Sequence, residues 1–241
     1  MIEISRLRKS FDGVAAVCDI SFTAPDGRIT GLLGENGAGK TTTLGLTCGL
    51  LSPDEGSIRV GPESGSPVDR RRRIGALLDH KGLYDRLTAR ENIEYFGRLH
   101  GMSGKPLTER IDTVLYDLGL QGIADRGTAG FSQGERMKVA LGRAIVHSPA
   151  HLLLDEPTNG LDVPAVQALR KVLRHMRDRG TCIILSTHVL EEVRVLCDNV
   201  VIISHGRVVA DGDAAAICRR AGMATLEDAF VALTGHQEMA S

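Results

Sequence analysis

Apolar and polar positions along this chain follow two rhythms, and the switches between them mark out its elements. Val14 to Phe22 and Arg28 to Leu33 are short strand-like runs, parted by the turn Pro25-Asp26-Gly27. Helical periodicity begins after Gly39. Residues 57–61 read as another strand after the turn Ser52-Pro53-Asp54-Glu55-Gly56, and Ile74 to Leu78 is an apolar run of buried-strand length. Between residues 80 and 130 the character changes. Thr88-Ala89-Arg90-Glu91 is a capping box, which predicts a helix running to about His100. Ile111, Val114, Leu115 and Leu118 then recur at helical spacing. Beyond this stretch the pattern predicts a helix over Met137 to Val146, a strand over Leu152 to Asp155 and a helix over Val163 to Arg179. A strand over Cys182 to Ser186 follows, then a hairpin of Val200–Ser204 and Arg207–Ala210 around His205-Gly206. Strands alternating with helices predict an α/β fold with a mostly parallel sheet covered on both faces, the helical stretch being an insert between its two halves.

Composition narrows the classes. A chain of 241 residues suits one large domain. The net charge of −1 argues against a broad attraction to nucleic acid, which needs a basic surface. The basic run Arg70 to Arg73 is too small a patch to change that, and is expected to be a solvated face. The 5 cysteines are odd in number and lack CxxC spacing, as expected of reduced thiols rather than of disulfides or a zinc site. Met1-Ile2-Glu3-Ile4 does not open a secretory signal, and no apolar run reaches the roughly 18 residues of a membrane span. Any work at a membrane is therefore expected to go through a partner.

Two segments carry chemistry. Gly34-Glu35-Asn36-Gly37-Ala38-Gly39-Lys40-Thr41 matches G-x-x-x-x-G-K-[ST], between a predicted strand and a predicted helix. Glycines in such a loop let successive N–H groups turn inward around phosphate oxygens, at a helix N-terminus that already favours anions. Lys40 is placed to reach the β- and γ-phosphates and Thr41 to hold Mg²⁺. Leu152-Leu153-Leu154-Asp155-Glu156 is an apolar strand ending in two carboxylates. Asp155 at its tip can reach the Mg²⁺ shell, and Glu156 points to where a water must lose a proton.

With these motifs the chain resembles the ATP-binding cassette family. Phe131-Ser132-Gln133-Gly134-Glu135 is similar to the family signature LSGGQ, Asn159-Gly160-Leu161-Asp162 to the D-loop, and Ser186-Thr187-His188 to the switch-histidine loop. The resemblance runs from Ile2 to Gly235. It implies one cassette ATPase domain over 1–241: a P-loop NTPase core with a mostly parallel sheet, an N-terminal antiparallel β part, and a helical subdomain at 80–130. It also implies that ATP is bound by Gly34, Glu35, Asn36, Gly37, Ala38, Gly39, Lys40, Thr41 and Thr42. Glu156 would be the general base, and His188 would hold the γ-phosphate and orient the water. Ser132 and Gly134 would contact the nucleotide of the other protomer in a head-to-tail homodimer, with Asp162 crossing the interface. Phe11 stands at the place of the aromatic that stacks on adenine, or is a core side chain.

Several positions depart from the pattern. In the signature, Phe131 replaces Leu, Gln133 replaces Gly and Glu135 replaces Gln. His151 opens the carboxylate strand, where an apolar residue is usual. Asp79 falls at the glutamine that normally touches metal and water. It either meets Mg²⁺ through a water or faces solvent.

Gly82 to Asn92, Tyr95-Phe96-Gly97 and the closing Leu226-Glu227-Asp228-Ala229-Phe230 resemble ABC-2 type export cassettes of the sodium-efflux and drug-resistance kinds. The resemblance implies export through a separate transmembrane permease, with the chain peripheral at the cytoplasmic face of the inner or plasma membrane. The alternative is a soluble cassette ATPase acting on ribosomes or DNA. That class usually has paired cassettes, long coiled-coil insertions or basic extensions, and these 241 residues contain none.

Overall fold

The computed structural model describes residues 1–61, 67–78 and 82–235. Its strands are β1 (Ile2–Phe11), β2 (Val14–Ala24), β3 (Ile29–Leu33), β4 (Glu55–Val60), β5 (Ile74–Leu77), β6 (His151–Asp155), β7 (Cys182–Thr187), β8 (Asn199–Ser204) and β9 (Arg207–Gly212). They form one nine-stranded sheet in the order β4-β1-β2-β9-β8-β3-β7-β6-β5. From β8 to β5 every pairing is parallel, while β1 pairs antiparallel with β2 and β4, and β8 with β9. Every residue of β3 and β7 is buried, which accounts for their near-continuous apolar sequences.

The strand β1 is absent from the sequence reading for a physical reason. Its register slips between Ile4 and Leu7, Leu7 and Lys9, and Lys9 and Ser10, so its buried side chains do not recur every second residue. The two-residue turn after it, Asp12-Gly13, has φ of 47° and 83°, the double left-handed conformation that hairpin twist favours.

The helices are α1 (Lys40–Thr47), α2 (Pro67–Arg73), α3 (Ala89–Leu99), α4 (Gly104–Asp117), α5 (Gln133–Ile145), α6 (Val163–Asp178), α7 (Leu190–Leu196), α8 (Ala214–Ala221) and α9 (Leu226–Gly235). The Thr88–Glu91 capping box is complete in both directions and starts α3. A second capping box, Ser132 with Glu135, starts α5 at Gln133 rather than at Met137. Glutamate in place of the signature glutamine thus closes the reciprocal hydrogen bonds that begin this helix.

Side chains alternate across the sheet. Leu152 and Leu154 join a core shared with Ile93, Ile111, Val114 and Leu141 of the helical insert and α5, while Leu153 joins the opposite core with Leu44, Leu46 and Ile184. The insert is therefore packed onto the sheet through common apolar side chains. The basic run is only partly a solvated face. Arg71 and Arg72 are exposed, although Arg71 donates to the Gly49 carbonyl at 2.7 Å, whereas Arg70 and Arg73 are partly buried. Burial holds the Arg70 guanidinium below its usual pKa. Among the described residues no helix is long and apolar enough to cross a membrane.

Candidate functional site

Register brings three strand ends together. Leu33 lies opposite Thr187 and Asp155 opposite Ser186, so the carboxyl ends of β3, β7 and β6 finish level and side by side. In parallel sheets this edge is where ligands bind. The glycine-rich loop leaves β3 there and runs into α1. Gly39 sits at the start of α1 with φ 104°, and a Cβ on it would lie 2.5 Å from the Ala16 carbonyl oxygen. Glu35, Asn36 and Gly37 are exposed at the mouth of the loop, above buried Gly34 and Ala38. Lys40 is only 5% exposed, and its Nζ donates to the Gly34 and Glu35 carbonyls at 2.8 Å each. Burial pushes the ammonium's pKa down, and the charges of Glu156, Asp155 and Glu35 push it back up. Thr41 and Thr42 form the first turn of α1, whose free N–H groups favour an anion.

The end of β6 supplies the carboxylates. Asp155 Oδ2 accepts from Thr41 Oγ1 at 2.7 Å, and Oδ1 accepts a short hydrogen bond from Ser186 Oγ. Hydroxyl and carboxylate oxygens from α1, β6 and β7 thus converge on one point, a donor set suited to a hard cation such as Mg²⁺. Glu156 follows in a left-handed conformation, φ 44°, which costs a side-chain-bearing residue about 1–3 kcal/mol. Two bonds from its N–H fix it there, to Ser186 O at 3.2 Å and Ser186 Oγ at 3.0 Å. The turn carries the carboxylate to His188, with Nδ1 and Oε1 3.0 Å apart. One proton must lie between them for that contact to hold. Asn159 Nδ2 donates to Glu156 Oε2 at 3.4 Å.

The remaining predicted residues lie around this centre. Phe11 is 43% exposed at the tip of the β1–β2 hairpin, so it is not a core side chain. Lys9 Nζ stands 5.6 Å from its ring centroid, and the same hairpin brings Ala16 against Gly39. Ser132 and Gly134 lie at the N-terminus of α5, Ser132 engaged by Glu135 and Gly134 packed near Ala165 of α6. Asp162 is exposed and caps α6 by accepting from Ala165 N at 2.9 Å. Asp79 lies outside the described residues. His151 is buried at the opposite end of β6 with its Nε2 3.5 Å from the N-terminal ammonium, away from the loop.

Sequence reasoning gave no role to Ser186 or Asn159, although both stand within motifs it named. Ser186 orients Asp155 and Glu156 together, and the only hint in the sequence is a hydroxyl residue at a strand end that faces Asp155 in register. Glu192 of α7 was also missed. It is a buried carboxyl near Glu156 and His188, its pKa raised by burial.

Comparison with known proteins agrees with this geometry. Residues 17–159 match the family model described as ABC transporter. The chain is 42% identical over 202 residues to the ABC transporter ATP-binding protein NatA of Bacillus subtilis (strain 168), covering 83% of this chain and 82% of that one. It is 38% identical over 216 residues to the Nod factor export ATP-binding protein I of Rhizobium sp. (strain N33), covering 88% and 70%. A solved ATP-binding subunit of an ABC transporter superposes with a TM-score of 0.89 at 30% identity, over 97% of this chain and 99% of that one.

Proposed function

The chain belongs to the ABC transporter family as an ATP-hydrolysing, nucleotide-binding subunit, and on that premise we propose which residues do the work and what the work drives. The phosphates of ATP lie in the loop Gly34–Thr42, where Lys40 turns its ammonium from the Gly34 and Glu35 carbonyls to the β- and γ-phosphate oxygens. Phe11 offers an exposed ring to the adenine. Thr41 and Asp155 would hold Mg²⁺, with Asp79 as a further candidate for its shell; a cation there would supply neutralisation of phosphate charge. Glu156 takes the proton of the attacking water. His188 keeps that carboxylate in place through its Nδ1 and presents the rest of its ring to the γ-phosphate.

Ser132 and Gly134 complete the neighbouring protomer's site in an ATP-bound homodimer, each site borrowing its signature loop from the partner, with Asp162 at the interface. The exposed turns of the insert, including Arg86, meet a separate transmembrane permease, which keeps the chain at the cytoplasmic face of the membrane. Likeness to relatives named for Nod factor export and for daunorubicin and doxorubicin resistance favours export as the direction.

One observation carries this reading: Thr41, Asp155, Ser186, Glu156 and His188 form an unbroken hydrogen-bonded series beside Lys40. The test is Glu156→Gln. It should bind ATP and hydrolyse it about 10²–10⁴-fold more slowly, because an amide cannot accept the water's proton. ATP should also hold two copies of the variant together, read by light scattering with and without nucleotide. Wild-type turnover would sink the assignment of Glu156, and a monomer at every ATP concentration would sink the shared site.

A further inference from the structure

The signature segment carries a glutamine where the family pattern has glycine, and the structure gives that side chain a specific task. Gln133 is the first residue of α5, and its amide lies across the Asn159–Gly160 turn. Its Nε2 donates to the Asn159 carbonyl at 3.1 Å. A Cβ on Gly160 would fall 2.2 Å from Nε2 and 2.7 Å from Cδ, so the amide rests directly on the bare glycine. Asn159 is in turn bound to the base: its N–H donates to Glu156 O at 3.1 Å, and its Nδ2 to Glu156 Oε2 at 3.4 Å. A continuous series therefore runs from Gln133 through Asn159 to Glu156 and His188.

We propose that Gln133 is a positioning residue that ties the signature loop to the general base of its own protomer, so that engagement of the loop by a partner's nucleotide is felt at Glu156. The inference rests on the shared-site reading above. Ser132 and Gly134, which that reading sets on the partner's γ-phosphate, flank Gln133 on either side. A shift of the loop toward that phosphate moves the Gln133 amide, and with it the turn that orients the Glu156 carboxylate. Glycine at 133 cannot reach Asn159, so this link belongs to chains carrying a long donor there. The bond is a neutral N–H to a carbonyl at the surface, whose loss reads as a small change in rate rather than as an inactive protein.

The experiment compares Gln133→Ala with the isosteric Gln133→Glu, whose ionised carboxylate cannot donate, in the full chain. Both should lower kcat about three- to tenfold while leaving KM for ATP within about twofold, since the bond positions a group used only in the chemical step. In both, the Hill coefficient for ATP should fall toward one, a readout that a merely structural residue would not move. Gln133→Lys, which keeps a donor of similar reach, should recover most of both. Wild-type kcat and Hill coefficient in Gln133→Ala would overturn the proposal, and so would loss in Gln133→Ala without loss in Gln133→Glu. ATP-driven pairing of Glu156→Gln, repeated with Gln133→Ala added, separates the two ideas. If the double variant still pairs, the shared site stands and the kinetics alone judge Gln133. If Glu156→Gln itself does not pair, the underlying reading has failed.

Discussion

Lys40, proposed as the cation of the phosphate cradle, has little support from the rest of the fold. It is nearly buried, and its two hydrogen bonds go to carbonyls of the same loop. Lys40→Ala should therefore lose most MgATP affinity while keeping its fold, as read by equilibrium titration with a fluorescent ATP analogue beside a thermal melt. Unchanged affinity would contradict the site. A second residue makes a pH prediction. His147 stacks on His100 with ring centroids 3.5 Å apart, and burial, with His100 and Arg110 beside it, lowers its pKa from 6.5 to about 4. The unfolded chain thus binds a proton at higher pH than the folded one, so this part of stability is full above pH 6.5 and is lost as pH falls toward 4. His147→Phe should flatten the acid side of a denaturation series over that range, and an unchanged slope would count against it. The grouping of candidate residues was legible wherever they lay in contiguous motifs: Lys40, Asp155, Glu156 and His188 lie together at one edge of the sheet. Ser186, Asn159 and Gln133 were not assigned roles, because their partners lie 26 to 31 positions away or across a turn and are fixed by strand register for Ser186 and by tertiary packing for the other two.

At the scale of elements, caps decide more than periodicity. Thr88 accepts from Glu91 N at 3.1 Å, and Glu91 returns a bond to Thr88 N at 2.8 Å, which starts α3. Thr88→Ala should cost about 1 kcal/mol and lower Tm by roughly 2–4 °C, with ATP affinity unchanged because the cap is remote from the loop. A melt identical to wild type would mean that α3 starts by packing alone. The same capping box made α3 legible in the sequence. The helix α5 was placed too late because its first turn, Gln133 to Arg136, is polar and carries no apolar period, so only the Ser132–Glu135 cap marks its start. The strands β3, β6 and β7 declared themselves as apolar runs because they are buried on both faces. The short helices α2, α7 and α8, about two turns each, gave a 3.6-residue period little room to repeat, whereas the equally short α1 was marked by the glycine-rich loop ahead of it.

At the scale of the whole molecule, the insert and the sheet share one apolar core, so a load on the insert is carried to the strands that end in the site. Arg86 lies in the exposed turn ahead of α3. Arg86→Glu should abolish transport in reconstituted vesicles while sparing the ATPase rate of the isolated subunit; equal loss of both would make it a residue of the fold. The sheet order also has a history written into it. Residues of β3 and β6 leave the ribosome before those of β7, yet β7 is the strand that fits between them. The phosphate-loop sequence is therefore complete more than a hundred residues of synthesis before the strand that lies between β3 and β6. Only when Cys182–Thr187 slots in do Ser186 and His188 arrive, and with them the orientation of Asp155 and Glu156. On the roles proposed for these residues, a chain stopped short of β7 should carry the phosphate-loop motif without the groups that orient Asp155 and Glu156.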